Sequence, residues 1–130
     1  MAVTHSAAAL QAATDAVTAL IGASGNLVFR LTGTIGSPGA AVATLPLSAT
    51  AFGAAASSGV ATANAITSDT NATGNASAVA TASLQTSAAV LVIHCAVAAS
   101  GSDINMSNGL IVASGDTVSC SSFTYQAISA

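Results

Sequence analysis

The 130-residue chain contains no lysine, no glutamate and no tryptophan; Arg30 is its single Lys/Arg cation and four aspartates are its acids. A soluble monomer ordinarily presents a surface that is about a quarter to a third charged. Here Ser, Thr, Asn, Gln and backbone must cover the surface instead, which suits packing against neighbours. A formal net charge of −3 with no basic stripe argues against nucleic-acid binding by counterion release, and against lining a DNA container. Long apolar runs are missing too. The densest, residues 88–99, is about two-thirds of the roughly 20 residues that a spanning helix needs, and His94 interrupts it. It reads as a buried strand. No positive n-region precedes an apolar stretch at the N-terminus, so synthesis and folding in a cytoplasm are expected. Cys95 and Cys120 are the only cysteines; a reducing compartment keeps them as thiols, small hydrophobes without a special role, and the sequence leaves open whether they pair.

Scarcity of titratable groups also narrows the chemistry. General acid–base work draws on His, Lys or paired carboxylates, and the inventory is His5, His94 and the aspartates. His94 lies within an apolar strand on the side of Val90 and Val92, where a satisfied buried or interfacial histidine is expected. Asp69, Asp103 and Asp116 each fall in a Gly/Ser/Asn-rich turn, where Asp hydrogen-bonds nearby backbone. Residues 69–75 alternate oxygen donors as part of a calcium loop does, but lack the bidentate Glu. No catalytic residue, metal site or cofactor is assigned. Arg30 is expected to pair with a turn aspartate or stack on Tyr125, with an intersubunit contact as the alternative.

What the chain has in abundance is alanine, which buries little area per residue, so the core is expected to be thin. Over residues 6–21, Leu10, Ala13, Val17, Leu20 and Ile21 recur at three- and four-residue spacing, and Gly22 and Gly25 follow where a helix would stop. The spacing predicts an amphipathic N-terminal helix with Ser6, Gln11, Thr14, Asp15 and Thr18 on its polar face. From Asn26 the period becomes two: Leu27, Phe29 and Leu31 alternate with Val28, Arg30 and Thr32. Further strands are predicted at 42–48, 60–68, 75–84, 88–98, 110–113 and 116–126, separated by Gly, Asn, Asp and Ser clusters. Pro46 marks the second as an edge. The segment 88–97, apolar on both faces, is expected to lie centrally, with its second face under a helix or a neighbouring chain. Val118 and Cys120 share one parity and Phe123 and Tyr125 the other, which predicts a bulge at Ser121-Ser122. The fold expected is mainly β: an antiparallel β-sandwich, with Greek-key connections as an option, preceded by a short amphipathic helix. Its segments are 1–24, helical, and 25–130, the β domain.

Three blocks of sequence carry a family likeness: Leu45-Pro-Leu-Ser-Ala-Thr-Ala-Phe-Gly running on to Gly59-Val-Ala-Thr-Ala-Asn, then Gly101-Ser-Asp-Ile-Asn, then Gly115-Asp-Thr-Val-Ser-Cys-Ser-Ser-Phe-Thr-Tyr. Over about its last two-thirds the chain resembles a family of small Ala/Ser/Thr-rich virion structural proteins of tailed bacteriophages. The resemblance implies a structural subunit of the virion. Low charge then favours a non-enzymatic capsid decoration or cement protein, made in the bacterial host and attached to the outside of the head in symmetric copies. Its expected partners are the major capsid protein and copies of itself, as a trimer, with no nucleic acid, membrane or small-molecule substrate. Candidate subunit contacts are Leu10, Val17, Leu20, Ile21, Arg30, Pro46 and His94. The alternatives are a tail-tube or minor tail subunit and, from the Thr/Ala alternation, an ice- or glycan-binding β module.

Overall fold

The structure, a computed structural model, describes residues 3–128. Residues 1–2 and 129–130, the outer ends of the two expected segments, lie outside the described residues. Ser6 opens helix α1 (Ala7–Ala19) by accepting the Ala9 N–H on its side-chain oxygen at 3.2 Å, an N-cap ahead of an alanine-rich stretch of high helix propensity. Gly22, at φ +69°, follows the helix in the left-handed conformation that a chain leaving a helix commonly needs.

Seven strands follow: β1 (Asn26–Arg30), β2 (Ala41–Pro46), β3 (Val60–Thr62), β4 (Thr81–Gln85), β5 (Leu91–Ala98), β6 (Ile104–Asn105) and β7 (Thr124–Gln126). Five of them form one sheet in the order β2-β1-β4-β5-β6, and β3 pairs with β7 in a second. The chain is mainly β with one short N-terminal helix, as its periodicity predicts. Pairing is mixed, however: β5 and β6 run parallel, Val97 beside Ile104, because the turn after β5 brings the chain back alongside it in the same direction. A curled five-stranded mixed sheet and a two-stranded sheet therefore stand where two antiparallel sheets were expected.

Alternation in β1 places Leu27 and Phe29 in the core with Val42, Leu45, Val79, Leu84 and Val97. At one end of this core Phe52 and Phe123 meet edge to face, ring centroids 6.0 Å apart at 70°. Val118 and Phe123 are buried while Cys120 and Tyr125 are half-buried; the change of parity is real, and an irregular stretch between Cys120 and Phe123 makes it, rather than a bulge within a continuous strand. Pro46 is on an edge strand. Several predicted strands shrink because only part of each finds a ladder partner: 60–68 keeps three strand residues, 75–84 starts at Thr81, and 110–113 forms none. The apolar strand 88–97 is also not central: β5 is next to last, beside a two-residue strand, and its second face is half-open.

The helix corrects a second expectation. Its buried residues are Leu10, Thr14 and Thr18, followed by Ile21, whereas Ala12, Ala16 and Leu20 are exposed. The hydroxyl side faces inward because it has backbone to bind. Thr14 Oγ1 donates to Gly59 O at 2.5 Å and accepts the Ala127 N–H at 3.1 Å. Flanking Thr14, Gln11 Nε2 donates to Ala55 O and Asp15 Oδ1 accepts the Ala55 N–H, so an i,i+4 pair grips both backbone groups of one residue. Gly59, at φ +83°, lets its loop approach this closely: a Cβ there would stand 2.9 Å from Leu10 Cβ.

Candidate functional site

Directly paired residues of a sheet share a face, so three rows of side chains cross the side of the large sheet turned away from the core. The first runs Pro46, Asn26, Gln85; the second Thr44, Val28, Ser83, His94; the third Arg30, Thr81, Ala96. Arg30 ties these rows together. Its Nε donates to Ser83 Oγ at 3.1 Å, its Nη2 to Gln85 Oε1 at 2.9 Å and its Nη1 to Gly39 O at 2.8 Å. Ser83 and Gln85 are polar yet buried, 0% and 8% exposed, and this guanidinium is what satisfies them. All three acceptors are neutral. Burial holds the Arg30 pKa below its ordinary value, and a five-donor guanidinium with three bonds keeps one N–H on each of Nη1 and Nη2. His94, the register partner of Ser83, is half-buried, and its Nδ1 is buried without a partner among the described residues.

The expectation that Arg30 meets a turn aspartate or Tyr125 is therefore corrected, and the aspartates themselves give the reason. Each clips a backbone N–H of its own fold: Asp15 that of Ala55, Asp69 those of Thr44 and Asn71, Asp103 that of Ala96 and Asp116 that of Ala113, all at 2.8–3.0 Å. Both carboxylate oxygens of Asp69 are held this way, so its calcium-like loop is a clip joining β2 to the following turn.

A cleft of about 650 Å³ opens on the opposite side, between residues 103–112 and 116–124. Phe29, Val112, Val118 and Phe123 contribute apolar walls, while serines, Asn105 and Asn108 supply polar ones. Asp103 and Asp116 reach it with carboxylates already bonded to backbone, and neither histidine lines it. Both cysteines are free thiols. Burial, helped by Asp103, pushes the Cys95 thiol up to about 11; burial also raises Cys120, whose Sγ–H donates to Ser122 O. Among the described residues no three His, Cys, Asp or Glu side chains stand together where they could hold a metal ion, and no helix is long and apolar enough to cross a membrane.

The seven contact candidates divide by position. Leu10 and Ile21 are buried in the protein's own packing, at 5% and 1% exposure, which takes them out of any surface. Val17 is half-buried, Leu20 is 65% exposed and Pro46 is exposed at the sheet edge. Only Arg30 and His94 come together, on either side of Ser83. Ser83 and Gln85 had no place among the candidates, although the alternation Thr81-Ala-Ser-Leu-Gln85 already puts them on one face. Comparison with protein-family models, with curated proteins and with solved structures finds no match for this chain.

Proposed function

We propose that this protein is a non-enzymatic structural subunit of a tailed-phage virion, a decoration or cement protein that binds the outside of the head in symmetric copies and stabilises it. The observation that carries this reading is the half-open second face of β5, where His94 and Ala96 continue strand rows whose only charged side chain is Arg30, the nearest carboxylates being Asp69 and Asp103, tied to backbone N–H groups of Thr44 and Ala96. A flat, nearly uncharged surface docks with little desolvation penalty, and interface cores are depleted of charge for that reason. The outward side of α1, made of Ala9, Ala12, Ala16 and Leu20, adds a second charge-free surface. Burial of both against the shell and neighbouring copies would stabilise the folded subunit by mass action.

The partners in this reading are the major capsid protein and copies of the chain itself, grouped as trimers at three-fold lattice points. The test is electron cryomicroscopy of particles assembled with and without the protein. Density on the head surface in three-fold groups is expected. Density along the tail would give the chain to the tail tube or to a minor tail component instead. With a single cation in play, attachment should weaken by less than about fivefold between low and physiological salt.

A further inference from the structure

We propose that Asn108 is a site of spontaneous covalent modification: its side-chain amide is lost through a succinimide formed with Gly109, leaving a carboxylate at the mouth of the cleft between residues 103–112 and 116–124. The chain has six asparagines, and Asn108 alone precedes a glycine. In the reaction the Gly109 backbone nitrogen attacks Asn108 Cγ; an N–C bond forms, the bond from Cγ to the side-chain nitrogen breaks, and that nitrogen leaves as ammonia with the proton from Gly109. Water then opens the imide ring at either carbonyl carbon, giving aspartate or isoaspartate. A Cβ on the following residue crowds the attacking nitrogen, and glycine has none.

The fold leaves both reacting groups accessible here. Asn108 and Gly109 are exposed, and a Cβ on Gly109 would meet no atom within 4 Å. The Gly109 N–H donates to Met106 O at 3.4 Å, beyond the roughly 2.7–3.2 Å of a firm N–H···O bond, so little has to be broken before it can react. Both ends of the turn are anchored, by the Met106 N–H to Ala98 O at 2.9 Å and the Val79 N–H to Leu110 O at 2.8 Å, which confines the change to residues 107–109. The other asparagines are protected. Leu27, after Asn26, is fully buried in β1 between β2 and β4. The N–H of Ala72, after Asn71, donates to Asp116 O at 3.0 Å, and that of Met106 follows Asn105. Asn64 Nδ2 donates to Thr50 O and Asn75 Oδ1 accepts the Ser77 N–H, and each of these two precedes an alanine.

The consequence is electrostatic. Asp103 and Asp116 already line the cleft, each with one carboxylate oxygen on a backbone N–H, and among the described residues no Lys or Arg lines it. A third acid there adds to a formal net charge of −3, so one event at one residue yields two forms of the protein that differ at the cleft.

The test incubates the folded full-length protein, the same chain in guanidinium chloride, and Gly109→Ala in mildly alkaline buffer, where the Gly109 nitrogen gives up its proton more readily. Aspartate and isoaspartate are then mapped by proteolysis and mass spectrometry. In the folded protein Asn108 should react at least about tenfold faster than any other asparagine, and within about threefold of its own rate in denaturant. Gly109→Ala should slow loss at Asn108 by at least about tenfold, compared in denaturant because φ +110° strains an alanine in the folded turn. Asn108→Asp, which carries the new charge on an ordinary backbone, should keep the wild-type circular dichroism and melting temperature. A folded protein that stays intact at Asn108 while the denatured chain reacts overturns the proposal, because the turn would then protect the site. Equal rates at several asparagines overturn the selectivity, and undiminished loss in Gly109→Ala overturns attack by the Gly109 nitrogen. A lowered melting temperature in Asn108→Asp overturns confinement of the change to the cleft mouth. None of these outcomes depends on the virion reading.

Discussion

Strand β4 is buried on both of its faces, and the two are held by opposite means. Toward the core, Ala82 and Leu84 pack beside Leu27, Phe29, Cys95 and Val97, and the contact is apolar throughout. Away from it, Ser83 and Gln85 are almost as inaccessible, yet each is polar and accepts a hydrogen bond from the guanidinium of Arg30. On β4, burial is thus a poor guide to hydrophobicity. The inner face fails by leaving a cavity, the outer one by leaving a donor or acceptor unsatisfied.

The largest effect expected is on the inner face: Phe29→Ala should cost about 3–5 kcal/mol in urea unfolding, and a loss under about 1 kcal/mol would show that the inner face is not the principal apolar layer. Next comes the same polar logic outside the sheet. Thr14→Val removes the hydroxyl that serves Gly59 O and the Ala127 N–H, and should cost about 2–3 kcal/mol, which separates a hydrogen-bonded helix seat from a merely packed one. On the outer face, Ser83→Ala strips Arg30 Nε of its acceptor and should cost about 1.5 kcal/mol; an unchanged unfolding midpoint would reduce the contrast between the faces to composition. Smaller still is an alkaline effect confined to the inner face. Folding raises the Cys95 thiol from the usual value of 9.0 to about 11, so the folded state favours the protonated form. That contribution is complete below about pH 9 and is lost as pH rises toward about 11; Cys95→Ala should flatten the decline in stability over this interval. Least affected should be Pro46→Ala, exposed on the edge strand, with a change within about 0.5 kcal/mol.

Local signals in the sequence located what depends on near neighbours. Period-two alternation found β1 and its core residues, Pro46 marked an edge, Ser6 and Gly22 bounded the helix, and the turn aspartates do bind backbone. Contacts far along the chain escaped it. Thr14 faces inward because its partners are residues 59 and 127, and nothing within one helical turn announces either. Arg30 finds Ser83 and Gln85 across separations of 53 and 55 residues, fixed by the pairing of β1 with β4. The apolar pattern of residues 88–97 did not say how many strands lie beyond it, and a two-residue neighbour leaves that second face open. Helix α1 is tied to the β domain through Thr14, Gln11 and Asp15.

The Thr14 hydroxyl joins residue 14 to residue 127, a separation of 113 positions. A ribosome releases residue 14 long before residue 127 exists, so during synthesis the helix waits with one side of its seat unmade. Closing so wide a loop costs entropy before the contact returns anything, and topologies of this kind fold slowly. Strand β7 also completes the small sheet with β3, so that sheet cannot close until residues 124–126 have left the exit tunnel. Until then Thr14 has only half of its hydrogen bonding, and the order of synthesis, as much as the finished fold, decides when the helix is fixed to the sheet.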